Sequence, residues 1–314
     1  MFTIKQPSKI VIGRNAVPES SFPENCLLIT SKGAESRGWL DYIKLKNYSI
    51  FRNVENNPSI ETTEQIITEF SGSKISKIIG MGGGSVLDVA KYCAYKMDKQ
   101  KILIPTTFGS GSEVTRISVL KVNNKKQSFH DDKLFADIAI IDSNFIDNTP
   151  KDVFKNSFVD ALAQCSEGYD SKLGNEYTRF LCKSAFDYLE RGIETGKKED
   201  IVFGSLISGL GFGNCSTTLG HALSYVFSNE GISHGHALAF TTMASHRYNN
   251  SIFYKRFKKI IKKLDFKRIK LKLNTKDATE LILTDRKHLD NNPRLVKKED
   301  IVTLLESITS GMDI

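Results

Sequence analysis

Gly82-Gly83-Gly84-Ser85-Val86-Leu87-Asp88-Val89-Ala90-Lys91 decides the fold. The apolar run Ile78-Ile79-Gly80-Met81 precedes it and a helical pattern follows. A buried strand ends, the backbone turns without side chains in the way, and a helix opens. The first N–H groups of that helix have no intrahelical acceptor and carry the positive end of its dipole. The turn therefore favours an anion such as a phosphate or pyrophosphate. The spacing is neither the dinucleotide fingerprint G-x-G-x-x-G nor a Walker loop with its lysine–serine pair. Taken alone, it also fits a glycine-rich turn with no ligand.

Outward from this turn, residues 1–145 alternate short β-branched runs with helical patterns. Strands are expected at 9–12, 26–30, 48–51, 77–81, 102–105 and 138–142, and helices at 35–45, 60–70 and 85–97. Such alternation implies a parallel sheet covered on both faces. Segments 117–121 and 127–129, flanking Asn123-Asn124, predict a hairpin inserted before the last strand. Strand-like runs then stop. In 146–314, apolar residues recur at helical spacing over 153–170, 177–194, 200–213, 218–228 and 299–308. The expected organisation is an α/β domain (1–145) followed by an all-α domain (146–314). No low-complexity linker separates them, so a packed interface with a ligand-sized cleft is expected.

Composition narrows the function classes. The 314 residues are 40% hydrophobic and 25% charged, as in ordinary globular proteins. No apolar run approaches membrane-spanning length, and the start lacks the apolar core of a signal peptide. Cys26, Cys93, Cys165, Cys182 and Cys215 are scattered and never form C-x-x-C, which argues against a disulfide framework and fits a reducing cytoplasm. The net charge of +8 is local. Ten Lys and Arg against Asp265 give 255–272 a charge of +9, leaving −1 elsewhere. Phe253 just before that segment and Phe257, Ile260, Ile261 and Leu264 inside it recur at helical spacing, so it is expected to be a solvated amphipathic helix. No aromatic platform accompanies the charges, and no nucleic-acid partner is expected.

The helical half carries a second constellation. Asp160 and Gln164 are four apart and share a helix face. His221 and Tyr225 do the same, and His234-Gly235-His236 follows a glycine-containing loop. Three of six histidines fall between 221 and 236. One carboxylate with two imidazoles suits Fe(II) or Zn(II), although a surface aspartate and hydrogen-bonded core histidines give the same spacing.

Together these strings resemble the iron-containing (group III) alcohol dehydrogenases, related in fold to dehydroquinate synthase. The resemblance rests on 82–91, on Pro105-Thr106-Thr107-Phe108-Gly109-Ser110-Gly111-Ser112-Glu113-Val114-Thr115, and on Asp160-Ala161-Leu162-Ala163-Gln164. It continues in His221-Ala222-Leu223, His234-Gly235-His236 and Asn291-Asn292-Pro293-Arg294. It implies an N-terminal NAD(P)-binding domain and a C-terminal metal-binding domain. Gly83, Gly84 and Ser85 would hold the pyrophosphate, with Asp88 near the nicotinamide. Thr106, Thr107 and Ser110 would line the adenosine side, and Lys126 would lie near the nicotinamide ribose. Asp160, His221 and His234 match three of four metal ligands.

Three departures modify that implication. Gln164 stands where the fourth ligand is usually histidine, so either its amide oxygen coordinates or the ion keeps a further water. Tyr225 replaces a histidine near the nicotinamide. Ser31, followed by Lys32, replaces the aspartate expected to contact the ribose, which predicts a preference for NADP over NAD. The chain is also short for the family, which predicts surface helices trimmed from the second half.

The strings 160–164 and 221–237 look most like the phosphonoacetaldehyde reductase branch, whose product is 2-hydroxyethylphosphonate. The implied activity is reduction of a small aldehyde, with the proton coming from water, Tyr225 or His236. Arg116 is a candidate for gripping an anionic substrate, and a homodimer is the candidate assembly. The alternatives are another group III alcohol or polyol dehydrogenase, a lyase of the dehydroquinate synthase kind, and a binding protein without catalysis.

Overall fold

A computed structural model describes residues 1–123 and 125–310. It divides into two compact units, Ile4–Thr149 and the chain from Pro150 onward, which also takes Met1–Thr3.

The first unit carries β1 (Lys9–Gly13), β2 (Leu27–Ile29), α1 (Gly33–Ser36), α2 (Trp39–Ile43), β3 (Ser49–Phe51) and α3 (Ile60–Phe70). These are followed by β4 (Ile78–Gly82), α4 (Gly84–Lys96), β5 (Lys101–Pro105), β6 (Ile117–Val122), β7 (Lys125–His130) and β8 (Ile138–Asp142). Six strands form one parallel sheet in the order β1-β8-β5-β4-β2-β3. Every residue of β2, β4 and β5 is buried, as expected of strands covered on both faces. β6 and β7 form a separate antiparallel hairpin with Lys121 opposite Lys126. The expected Asn123-Asn124 turn falls partly outside the described residues, since Asn124 is not among them.

Two sequence expectations change here. The single helix over 35–45 is two short ones, because Gly38 adopts a left-handed conformation (φ +69°) and breaks the run between them. The unit also runs past 145 to Thr149. Asp142 draws that extension in by accepting from the N–H groups of Asn144 (3.0 Å), Asn15 (3.1 Å) and Val17 (3.0 Å). Arg14 adds an ion pair to Asp147 at 2.7 Å.

The second unit is helical throughout its described elements: α5 (Lys151–Asp170), α6 (Glu176–Thr195), α7 (Lys198–Phe212), α8 (Leu219–Asn229) and α9 (His234–Asn249), then α10 (Tyr254–Leu264), α11 (Thr275–Leu283), α12 (Arg286–Asn291) and α13 (Lys298–Ser310). α5 packs between α6, α7 and α9, and α8 lies along α9. α10 buries Phe257, Ile260 and Ile261, each worth about 1.5–3 kcal/mol of burial. Its basic face meets α6 through Arg256 to Asp187 (2.7 Å) and Glu190, and through Lys259 to Glu194 (2.7 Å). No helix among the described residues is long and apolar enough to cross a membrane. All five cysteines are free and buried.

Candidate metal centre and nucleotide loop

In the first unit, the connection after β2 leads outward to β3, whereas the connection after β4 leads the other way to β5. Such a switch point leaves a crevice at the carboxyl ends of the two strands. Gly83 caps α4 in an extended conformation, and the first helical bonds run from Val86 N–H (2.9 Å) and Leu87 N–H (3.1 Å) to Gly83 O. The N–H groups of Gly84 and Ser85 lie ahead of those bonds. A Cβ on Gly83 would sit 3.0 Å from Thr107 Oγ1, and one on Gly84 would sit 2.9 Å from Ser110 Oγ. The backbone of Thr106 ties to Gly82 O at 3.0 Å. Gly83, Gly84, Ser85, Thr106, Thr107 and Ser110 therefore share one locus. Ser31 stands just past β2, beside the Thr30 Oγ1 bond to Met81 O (2.7 Å), with the exposed Lys32 next to it.

Asp88 does not point into that locus. Its Oδ1 accepts from Ser112 Oγ (2.5 Å) and its Oδ2 from Val119 N–H (3.0 Å), so both oxygens are spent joining α4 to the 112–115 turn and the hairpin. Lys91 completes the joint. It is buried, bonded to the carbonyls of Ser112 (2.9 Å) and Ile117, and 3.3 Å from Asp88 Oδ1. Arg116, the expected anion grip, is an exposed ion pair with Asp132 at 2.9 Å. Lys126 is half-buried on β7.

In the second unit, α5, α8 and α9 bring Asp160, His221 and His234 together. One ligand atom from each lies within 4.8 Å of the others. The Nε2 atoms of both histidines stand 3.8 Å from the same oxygen, Asp160 Oδ1. That is too long for a hydrogen bond. It is close to the separation of two N/O ligands sharing an ion at about 2.1 Å from each. Both imidazoles engage their other nitrogen elsewhere. His221 Nδ1 bonds Glu167 Oε2, and His234 Nδ1 faces Ser224 Oγ at 3.5 Å. The donor set and its orientation fit a divalent transition ion. Burial works against charge on His221, but Glu167 and Asp160 overcome it and push its pKa up to about 9. The locus thus attracts positive charge, which a metal ion would supply in place of the proton.

Gln164 is next to this cluster, with its amide nitrogen donating to Asp160 Oδ1 at 2.9 Å, which steadies the carboxylate. Tyr225 lies alongside, its ring 6.2 Å from that of His234 and nearly parallel to it. His236 does not join the cluster. Two helical steps turn a side chain by about 200°, so His234 and His236 face opposite ways. The His236 Nε2 bonds Lys267 O at 2.5 Å, and its ring packs 5.0 Å from that of Phe266.

Sequence reasoning missed two participants. Glu167, 1% exposed, is the partner of His221. Its signal was present: it follows Asp160 by seven residues, on the same helix face. His288 is buried, with Nδ1 within 2.8 and 2.7 Å of the two Asp285 oxygens. Its ring lies 6.2 Å from that of His221 and 5.8 Å from that of Tyr225. Nothing local in the sequence ties it to residues more than sixty positions earlier.

The first unit thus carries a six-stranded parallel sheet with a glycine turn after β4, and the second carries a cluster of one aspartate and two histidines. Residues 7–143 match the iron-containing alcohol dehydrogenase model, and 155–285 match the C-terminal model of the same family. The chain belongs to the iron-containing alcohol dehydrogenase family. It is 34% identical over 225 residues to 4-hydroxybutyrate dehydrogenase of Clostridium kluyveri, covering 62% of this chain and 61% of that protein. The matches span about three fifths of the first curated relatives. The fold is that of the iron-containing alcohol dehydrogenase from Thermotoga maritima (TM-score 0.88, 22% identity, 99% and 100% coverage). It is likewise that of sulfoacetaldehyde reductase from Bifidobacterium kashiwanohense, solved with NAD+ (TM-score 0.86, 22% identity, 99% and 100% coverage).

Proposed function

We propose that this protein is a metal-dependent, NAD(P)H-linked oxidoreductase that reduces a small aldehyde to a primary alcohol. The observation that carries the reading is the convergence of Asp160 Oδ1, His221 Nε2 and His234 Nε2. Asp160, His221 and His234 would hold Fe(II) or Zn(II), and the 83–85 turn with Thr107 and Ser110 would hold the coenzyme pyrophosphate and adenosine side. The bound ion supplies Lewis acidity toward a carbonyl oxygen, and the nicotinamide supplies hydride. Around them, Gln164 holds the Asp160 carboxylate and Glu167 holds His221. Burial, with Asp285, Asp160 and Glu167 adding to it, pushes the Tyr225 phenol well above its ordinary range, so it stays protonated and able to donate.

The proposed substrate is phosphonoacetaldehyde, on the strength of the 160–164 and 221–237 strings. Two relatives bear names of small substrates with an anionic tail, 4-hydroxybutyrate and sulfoacetaldehyde. With no carboxylate at Ser31 and Lys32 beside it, NADPH is the proposed coenzyme. The test is steady-state reduction of phosphonoacetaldehyde, sulfoacetaldehyde, succinate semialdehyde and propanal with each coenzyme. The expected result is the highest kcat/KM for phosphonoacetaldehyde with NADPH. Preference for propanal would remove the anionic substrate, a better kcat/KM with NADH would remove the coenzyme assignment, and no turnover of any aldehyde would remove the activity.

A further inference from the structure

Glu167 is a carboxylate sealed inside the second unit, yet no lysine or arginine among the described residues answers it. Its partners come from the first turn of α8. Oε1 accepts from Gly220 N–H at 2.5 Å, Oε2 lies 3.4 Å from Thr218 N, and Oε2 also bonds His221 Nδ1. Gly220 leaves the space for this, since a Cβ there would fall 2.3 Å from Oε1. Backbone N–H groups face both oxygens, so the carboxylate is the acceptor at each of them, and the ring nitrogen opposite Oε2 supplies the hydrogen there.

We infer that Glu167 is a positioning residue that fixes His221 with its proton on Nδ1, so that the Nε2 lone pair faces Asp160 and His234. The same carboxylate caps α8, so the helix end and the ring orientation are set by one group. Its effect on cation binding rests on the metal reading above, whereas its effect on the tautomer does not. An amide in its place cannot do both jobs. If its oxygen meets Gly220 N–H, its NH2 faces His221 Nδ1, which must then accept and move the ring proton to Nε2. If its oxygen meets Nδ1, its NH2 confronts the Gly220 donor.

The experiment compares wild type, Glu167→Gln and Glu167→Asp, with His221→Ala as the ligand-deletion control. Zinc affinity is measured by competition with a chromophoric chelator. The His221 tautomer is read from ring 15N shifts in metal-free protein, on the alkaline plateau where the shifts no longer change with pH. The expected result is zinc binding weakened about 10–100-fold in Glu167→Gln. The wild-type ring should be Nδ1–H and the variant ring displaced toward Nε2–H. A role confined to capping α8 would lower the melting temperature and leave the tautomer unchanged, which overturns the proposal. Zinc affinity within twofold of wild type also overturns it. Should Glu167→Gln not fold, Glu167→Asp carries the test: the acceptor is withdrawn by one methylene, and unchanged affinity and tautomer overturn the proposal. If wild type binds zinc no better than His221→Ala, the metal reading fails, while the metal-free 15N shifts still decide for or against Glu167.

Discussion

Asp160 Oδ1 faces two imidazole nitrogens at 3.8 Å, and only one of the two neighbouring histidines of α9 is among their owners. His236 is tied to the Lys267 carbonyl, so His236→Ala should keep its metal and turn over within about threefold of wild type. Tyr225 stacks beside His234. If it is the proton donor, as proposed, its change to Phe should lower kcat by about 100-fold with bound metal unchanged. Turnover kinetics beside metal analysis checks both, and the opposite ranking would return the donor role to His236. The motif Asp160…His221…His234 was legible because each residue sits in a recognisable string. The separate fates of His234 and His236 were not, since both lie in one tripeptide and only the helix phase parts them. Glu113 tests burial by pH. It is 3% exposed, and burial, opposed by its own backbone N–H and by Lys91, pushes its pKa up to about 7 from 4.5. The folded state then binds more protons than the unfolded state between those values, so stability falls as pH rises from 4.5 to 7 and levels above. Glu113→Gln should remove that slope, gaining about 1–3 kcal/mol over wild type above pH 7 and little below 4.5, by urea titration across pH.

At the scale of elements, α9 shows both what periodicity reveals and what it hides. The sequence of α9, with Ala237, Leu238, Ala239, Thr241, Thr242, Met243 and Ala244 all buried, has no polar face, so no helical period marks it. α3 has one solvent face and was readable at 60–70, whereas α10 was legible as an amphipathic helix but not in its end, since it stops at Leu264 within the basic segment 255–272. The break between α1 and α2 was hidden because Gly38 is an ordinary letter until its backbone angle is known. α9 begins hard against α5: a Cβ on Gly235 would lie 2.0 Å from Asn156 O, a backbone atom that cannot swing away. Gly235→Ala should cost about 2–3 kcal/mol by forcing the helices apart. It should also weaken zinc binding, because His234 is the first residue of that helix. Melting curves and chelator competition check this, and a variant with wild-type stability and affinity would show that α9 does not fix His234.

For the whole molecule, the change from a sheet-bearing to a helical part was legible in the texture near residue 146, where β-branched runs give way to helical spacing. The sheet order was not, because all its central strands are short apolar runs that pair equally well on paper. The placement of Ser31 beside the 83–85 turn emerges only from the pairing of β2 with β4. The basic segment 255–272 proved to be mainly the outer face of α10, partly neutralised by α6. In the second unit, Asp160, His221 and His234 bring one ligand atom each within 4.8 Å of the others, the arrangement proposed to hold one ion. The direct measurement is metal stoichiometry by elemental analysis after loading and desalting, on wild type and on the single alanine variants of those three residues. One equivalent per chain in wild type and less than about a tenth in each variant is the predicted result. A metal-free wild type, or variants that retain a full equivalent, would contradict it.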